Sequence, residues 1–191
     1  MNKTKAAILF AGLTLGSANI AHAENFLSGL TMGAGYSSTS VTNDDVTQSR
    51  PKGYSIFSRG YLVKSWKDYL FTDFRVVSET EKTTGSGGSM KIDLTRYQAS
   101  LGLGYPFHVS EGFTVKPYIQ SGWSWNTAKL TATFNDGQQM GVKQHGNGIL
   151  LGTGIETQFG DHIIANVLVL MNEGKGGDSY GSSMFDIGYK F

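Results

Sequence analysis

Met184-Phe185-Asp186-Ile187-Gly188-Tyr189-Lys190-Phe191 ends the chain, and its side chains sort by parity. In an extended segment, successive side chains point to opposite faces. Phe185, Ile187, Tyr189 and Phe191 therefore share one face, and Met184, Asp186, Gly188 and Lys190 share the other. The first face is apolar throughout. The second mixes glycine with both signs of charge. Strands that are apolar outside and polar inside suit a closed sheet surrounded by lipid.

Seven segments upstream repeat the alternation. About residues 26–40, Leu30, Met32, Ala34 and Tyr36 oppose Gly29, Thr31, Gly33 and Gly35. About 53–63, Tyr54, Ile56 and Leu62 oppose Ser55, Arg59 and Tyr61. About 69–79, Leu70, Phe74 and Val76 oppose Asp73, Arg75 and Glu79. About 92–105, Tyr97, Ala99, Leu101, Leu103 and Tyr105 oppose Arg96, Gln98, Ser100, Gly102 and Gly104. From Phe113 past Trp125, Val115, Ile119, Trp123 and Trp125 oppose Lys116, Tyr118, Gln120 and Ser124. About 146–159, Ile149, Leu151, Ile155 and Phe159 oppose Gly148, Gly152, Gly154, Glu156 and Gln158. About 163–173, Ile163, Ala165, Val167, Val169 and Met171 oppose Asn166 and Asn172.

The pattern predicts an all-β fold, an eight-stranded antiparallel transmembrane up-and-down β-barrel. Closure satisfies every backbone group without an open edge, as a lipid environment requires. Connections alternate in length. Short ones lie at 64–68, 106–111 and 160–162, and long polar ones at about 41–52, 80–91, 130–145 and 174–181. Short turns belong to the periplasmic side and long loops to the outside. Trp66, Tyr69, Tyr105, Phe107, Phe159 and Phe191 gather at one level, and Tyr36, Tyr54, Trp123 and Trp125 at the other, as two interfacial girdles do. Pro117 falls inside its segment and predicts a bulge or a later start. A soluble barrel would turn its apolar faces inward, whereas the inward sets here are glycine, polar or charged.

Residues 1–23 read as a cleaved signal peptide, leaving 24–191 as one barrel domain. Lys3 and Lys5 form a positive start, Ala6 to Leu15 a short apolar run, and Ala21-His22-Ala23 a small-x-small cleavage site. Without Lys3 and Lys5, 14 basic residues face 15 acidic ones, so no basic excess points to nucleic acid. The chain has no cysteine, which excludes a disulfide framework and a thiolate metal site.

The signal, the eight segments, the four outer loops and the terminal Phe191 resemble the small outer-membrane β-barrel family that includes OmpX, Ail and Lom. The chain is also similar to the wider OmpA-like eight-stranded class. The likeness covers 24–191 and rests on Gly33-Ala34-Gly35-Tyr36, Gly53-Tyr54-Ser55-Ile56 and the ending Asp186 to Phe191. It implies a place in the outer membrane of a Gram-negative bacterium. It implies that the alternating ending, with Phe185, Ile187, Tyr189 and Phe191, forms a signal read by the barrel assembly machinery. It further implies roles in adhesion, serum resistance or envelope integrity, carried by loops that meet a host surface, a serum protein or lipopolysaccharide. No family site residue transfers to these loops.

The inward charges are Arg59, Asp73, Arg75, Glu79, Arg96, Lys116, Glu156, Asp186 and Lys190. An eight-stranded barrel is just wide enough for side chains to fill, so they read as an ion-paired interior network. A narrow ion or small-solute pathway is the alternative. An enzyme acting on lipid A would need a nucleophile, a base and an orienting acid together. His145, Asn147, Ser121 or Ser124, and Glu156 are candidates. His145 is followed two residues on by Asn147 rather than serine, and Glu156 falls on the inward set. No enzyme and no cofactor is expected. The loop carboxylates of Asn43-Asp44-Asp45 and Asp178 could meet divalent cations that bridge lipopolysaccharide, though such residues more often keep loops solvated. Lys82, Lys91, Lys129, Lys143 and Lys175 could meet lipid A phosphates or sulfated glycans. The Gly85-Ser86-Gly87-Gly88 and Gly174-Lys175-Gly176-Gly177 stretches lack the strand–helix setting of a phosphate loop. A monomer is the default for a small closed barrel.

Overall fold

The computed structural model describes residues 29–43, 46–61, 66, 68–174 and 179–191. The expected signal at 1–23, and Asp44, Asp45, Leu62, Lys175 and Asp178, lie outside the described residues.

The strands are β1 (Thr31–Asn43), β2 (Val46–Ser49), β3 (Lys52–Tyr61), β4 (Leu70–Gly85) and β5 (Gly88–Gly104). They continue with β6 (Phe107–Ser110), β7 (Phe113–Phe134), β8 (Gln139–Phe159), β9 (Ile163–Gly174) and β10 (Ser179–Lys190). The sheet runs β10-β9-β8-β7-β5-β4-β3-β1, and β10 pairs back onto β1 from Thr31↔Lys190 to Thr42↔Ser179. Eight long antiparallel strands close the barrel. The short β2 leads into β3 across Arg50-Pro51, and β6 extends β5 across Tyr105-Pro106.

Residues directly across from one another run from Thr31 through Arg59, Asp73, Ser100, Gly122, Leu150, Asn172 and Tyr180, and return to β1 at Val41. The ring thus closes with the stagger that separates Thr31 from Val41. With ordinary strand rise and spacing, that stagger tilts the strands by about 40° from the barrel axis. Such a tilt lets a segment of about ten residues cross the hydrocarbon layer.

Alternation holds inside this frame. Ile56, Phe74, Leu101, Ile119, Leu151, Val167 and Ile187 are each about half exposed or more on the outside, while Arg59, Asp73, Arg96 and Asp186 are buried inside. Tyr118 and Phe71 meet edge to face in the lumen. Phe71 lies opposite Gly102, and a Cβ there would sit 2.1 Å from the Phe71 ring. Glycine at 102 is therefore what lets the ring fill the lumen at that level.

Three expectations need correction. First, Pro117 causes no bulge and no late start. The β7–β8 register is unbroken from Phe113↔Phe159 to Thr133↔Gln139, and Pro117 faces Ile155. Its carbonyl accepts the Tyr105 N–H at 3.1 Å. The N–H it lacks would point at the same residue, so the missing bond falls at the Tyr105-Pro106 break between β5 and β6. Second, 80–91 and 130–145 are not long loops. The β4–β5 ladder runs to Gly85↔Gly88, and the β7–β8 ladder runs almost to its turn. Third, the interior is not glycine, polar and charged alone. Phe57, Phe71, Val77, Leu150, Ile164, Leu168, Leu170 and Met184 are also buried there.

Candidate functional site: a filled lumen beneath a surface sheet

Two polar networks occupy the lumen at different levels. The lower one centres on Arg59, which donates to Asp73 at 2.9 Å and also bonds Glu156. Lys116 holds the other Glu156 oxygen at 2.7 Å. Arg75 bonds Asp186 at 2.8 Å and lies 3.5 Å from Asp73, so the two arginines share Asp73. Tyr118 donates to Asn166 at 2.7 Å, and Asn166 donates to Asp186 at 2.9 Å. Ser55 donates to Asp186 at 2.8 Å. The Arg59 guanidinium also lies 4.3 Å from the Phe71 ring centre, where the ring face attracts a cation. Each charge taken out of water here has a counter-charge, which is the condition for burying it at all.

The upper network is separate. Arg96 bonds Glu79 at 2.8 Å and Thr39 at 2.7 Å, and it also reaches Ser182. Ser37 and Thr39 donate to the same Glu79 carboxylate. Lys190 joins neither network. Its ammonium meets Gln158 at 3.0 Å beside a cavity of about 130 Å³ at the mouth nearest Phe191, where Lys116, Glu156, Tyr61 and His108 also contribute to the wall.

An apolar cluster on β4, β8, β9 and β10 lies between the two networks, while β5 keeps Gln98 buried between Arg96 and Ser100. Inward positions recur every second residue. On β4 they read Arg75, Val77, Glu79, and on β10 Asp186, Met184, Ser182. On β9 they read Asn166, Leu168, Leu170, Asn172. Val77, Leu150, Leu168, Leu170 and Met184 belong to one buried cluster with Phe71 and Tyr118. The sequence signal for this layer was the doubly apolar runs Ile149-Leu150-Leu151 and Val167-Leu168-Val169-Leu170. Their period-two pattern is silent because both faces are apolar.

Above the membrane band four strands outrun the rest. The β3–β4 pairing stops at Lys52↔Thr80 and the β8–β9 pairing at Gly148↔Gly174. Strands β4, β5, β7 and β8 carry on together as a four-stranded sheet up to Gly85↔Gly88, Gly88↔Phe134 and Thr133↔Gln139. In this extension the two faces exchange character. The parity that points outward now carries Thr127, Lys129, Thr131 and Thr133, and the inward parity carries Ala128, Leu130, Ala132 and Phe134. Met140, Val142, Met90 and Phe134 of the inner face remain substantially exposed.

The outer face carries lysines in directly opposed pairs, Lys82 with Lys91 and Lys129 with Lys143. Asp93, opposite Lys129, bonds Lys91 at 2.8 Å and accepts from Thr80 at 2.8 Å. The Lys91 bond first, and the Thr80 bond with it, hold the Asp93 carboxyl below the usual range.

The residues weighed for catalysis do not converge. His145 is exposed and meets Thr127 at 3.1 Å. Ser124 is buried in the lumen and bonds Asn126 and Tyr180, while Ser121 points out to the lipid side. Glu156 is held by Arg59 and Lys116 at the opposite end of the lumen. Among the described residues no group of three or more His, Asp or Glu could hold a metal ion. Phe185, Ile187, Tyr189 and Phe191 point outward, each about half exposed, and Tyr189 stacks on His162 at 4.9 Å.

The model of the outer membrane protein beta-barrel domain matches residues 8–191. No curated protein matches the sequence. Among solved structures, Neisserial surface protein A is 17% identical with a TM-score of 0.62, over 86% of this chain and 98% of that one. Ail, the attachment invasion locus protein of Yersinia pestis, is 16% identical with a TM-score of 0.61, over 86% and 99%. A second Ail structure, in complex with the heparin analogue sucrose octasulfate, gives 14% and 0.58 over the same shares. At these identities the likeness is one of fold. The family match spans nearly the whole sequence, and the closed, tilted barrel with an apolar exterior accounts for it physically: the chain is a member of the outer membrane protein beta-barrel family, resident in the outer membrane of a Gram-negative bacterium.

Proposed function

We propose that the protein is a surface recognition barrel: a filled, non-conducting anchor that holds a four-stranded sheet out from the cell. The observation that carries this reading is the extension of β4, β5, β7 and β8. Nine residues of β8, Gln139 to Asn147, lie beyond its last pairing with β9. At ordinary strand rise they reach about 30 Å along the strand direction. Structure of that length serves neither the barrel wall nor its closure. It displays side chains to whatever approaches the cell, whether a host surface or a serum protein. The opposed lysines on its outer face suit the phosphates of lipopolysaccharide, and the heparin analogue bound by Ail is likewise polyanionic.

The lumen supports an anchor over a pathway. Ions crossing it would have to pass Val77, Leu150, Leu168, Leu170 and Met184 without a hydration shell. The scattered positions of His145, Ser124 and Glu156 support a role other than catalysis. The apolar outward set Phe185, Ile187, Tyr189 and Phe191 suits recognition by the assembly machinery during insertion, and a single closed ring suits a monomer.

Attachment to host cells tests the reading. A laboratory strain displaying the protein should gain attachment, and deleting 80–91 and 130–145 should abolish the gain while the barrel still assembles. Unchanged attachment with and without those segments, in a correctly assembled barrel, would overturn it in favour of envelope maintenance.

A further inference from the structure

We propose that the cavity at the mouth nearest Phe191 is a binding site for a small monocarboxylate, taken either as a free acid or as the C-terminal carboxylate of a peptide. It lies at the opposite end of the barrel from the extended sheet and does not depend on what that sheet recognises.

The floor of the cavity is charged and paired. Lys116 and Glu156 face each other across β7 and β8 and bond at 2.7 Å. Arg59 holds the same Glu156 from the lumen side. The Phe71 ring centre lies 5.3 Å from the Lys116 ammonium, and Phe71 packs edge to face on Tyr118 behind it. The cavity is therefore a dead end, not the start of a passage. Its volume is about 130 Å³. A single water needs only about 10–15 Å³ on the same measure, so a group of several heavy atoms fits.

The charges say which group. In the lower network Arg59, Arg75 and Lys116 balance Asp73, Glu156 and Asp186. Lys190 stands outside that balance. Among the described residues its ammonium has one hydrogen-bond partner, the neutral Gln158 side chain at 3.0 Å. An ammonium carries three N–H donors. Lys116 uses one on Glu156 and Lys190 one on Gln158, so both keep donors for a guest. The two flank one ring: the Tyr61 centre is 5.6 Å from the Lys116 ammonium and 6.0 Å from that of Lys190. Tyr61 also lines the cavity, and its ring offers an apolar face to a short carbon chain. A carboxylate has two acceptor oxygens, one for each ammonium. Glu156 and Asp68 share the same wall and set the limit. Lys190 matches one negative charge, whereas a second, as on phosphate, would meet these carboxylates.

NMR titration of the protein in lipid nanodiscs, with acetate as the probe, tests this. The Gln158 side-chain amide and the Lys190 backbone amide should shift and saturate at millimolar acetate, and chloride at equal concentration should not reproduce the shift. Lys190→Gln should weaken binding at least about tenfold, because it removes the surplus charge. Asp68→Asn should tighten it about twofold or more, an effect that a merely structural role for Lys190 would not produce. Phosphate should bind more weakly than acetate. Acetyl-glycyl-glycine and its C-terminal amide separate the two sources, and the amide should not bind. A peptide acid at least about tenfold tighter than acetate makes a chain terminus the source, and a smaller ratio makes it the free acid. Shifts that never saturate, an equal response to chloride, phosphate tighter than acetate, or unchanged affinity in a folded Lys190→Gln barrel would overturn the proposal. If Lys190→Gln does not assemble, Asp68→Asn decides, and unchanged or weaker binding there would overturn it.

Discussion

The lumen and the extracellular sheet are made from the same strands, yet they dispose of their apolar side chains in opposite ways. Within the membrane band lipid accepts the outward set, so Ile119 and Trp125 of β7 face out and Gln120 and Ser124 face in. Beyond Trp125 water surrounds the strand, and the apolar set moves to the inward parity at Ala128, Leu130 and Ala132. The backbone continues without a bulge, so the solvent alone accounts for the change of face. The lumen pairs its buried charges internally, whereas the sheet leaves an apolar face exposed.

The sharpest way to break that contrast is at Arg59. Arg59→Ala removes the partner shared by Asp73 and Glu156 and leaves buried carboxylate charge uncompensated. Loss of one member of a buried pair costs about 3–5 kcal/mol. Urea unfolding in lipid vesicles should show a loss of that order. A loss below about 1 kcal/mol would mean that the lumen is wetter than the contacts imply.

A smaller effect is expected in the apolar layer. Leu150→Ala should cost about 2–3 kcal/mol, toward the low end for a buried leucine, because flexible Met184 belongs to the same cluster and can relax into the space. The unaltered protein should pass no current in planar bilayers. Leu150→Ser combined with Leu170→Ser and Met184→Ser should admit a small one. Current through the unaltered protein would show that the layer does not seal the lumen.

The barrel was legible because lipid imposes period two on the outward face, as in Phe185, Ile187, Tyr189 and Phe191. The inward charges were legible by the same parity: Asp73 and Arg75 alternate with Phe74 and Val76. What parity could not supply was partnership. Arg59 and Glu156 lie 97 positions apart in sequence, and their contact follows from the stagger of the closed ring. The lumen leucines were hidden by runs apolar on both faces. The extension resembles loop in sequence because its polar face, with Lys129 and Lys143, has the composition expected of loops. Yet Leu130, Ala132 and Phe134 before Asn135-Asp136-Gly137, and Met140 and Val142 after it, kept the alternation with the phase reversed. A reader allowing the apolar set to change face outside the membrane would have continued both strands.

The Asp93 site carries the smallest effect and tests whether the sheet owes its order to charge. Asp93 is the acid among the opposed lysines of the outer face, held below the usual carboxyl range first by Lys91 and then by Thr80, with Lys129 directly across. A carboxyl lowered in the folded state adds stability above its unfolded pKa and loses it as pH falls through the folded value. The pair is partly exposed and screened by salt, so its contribution should stay below about 1 kcal/mol. Asp93→Asn should therefore speed amide exchange slightly in the upper parts of β4 and β5 at neutral pH. The difference from the unaltered protein should shrink with added salt and vanish once Asp93 is protonated. The barrel strands should not respond, because the lumen networks share no charge with this site. A response there would couple the two regions that the change of face otherwise separates.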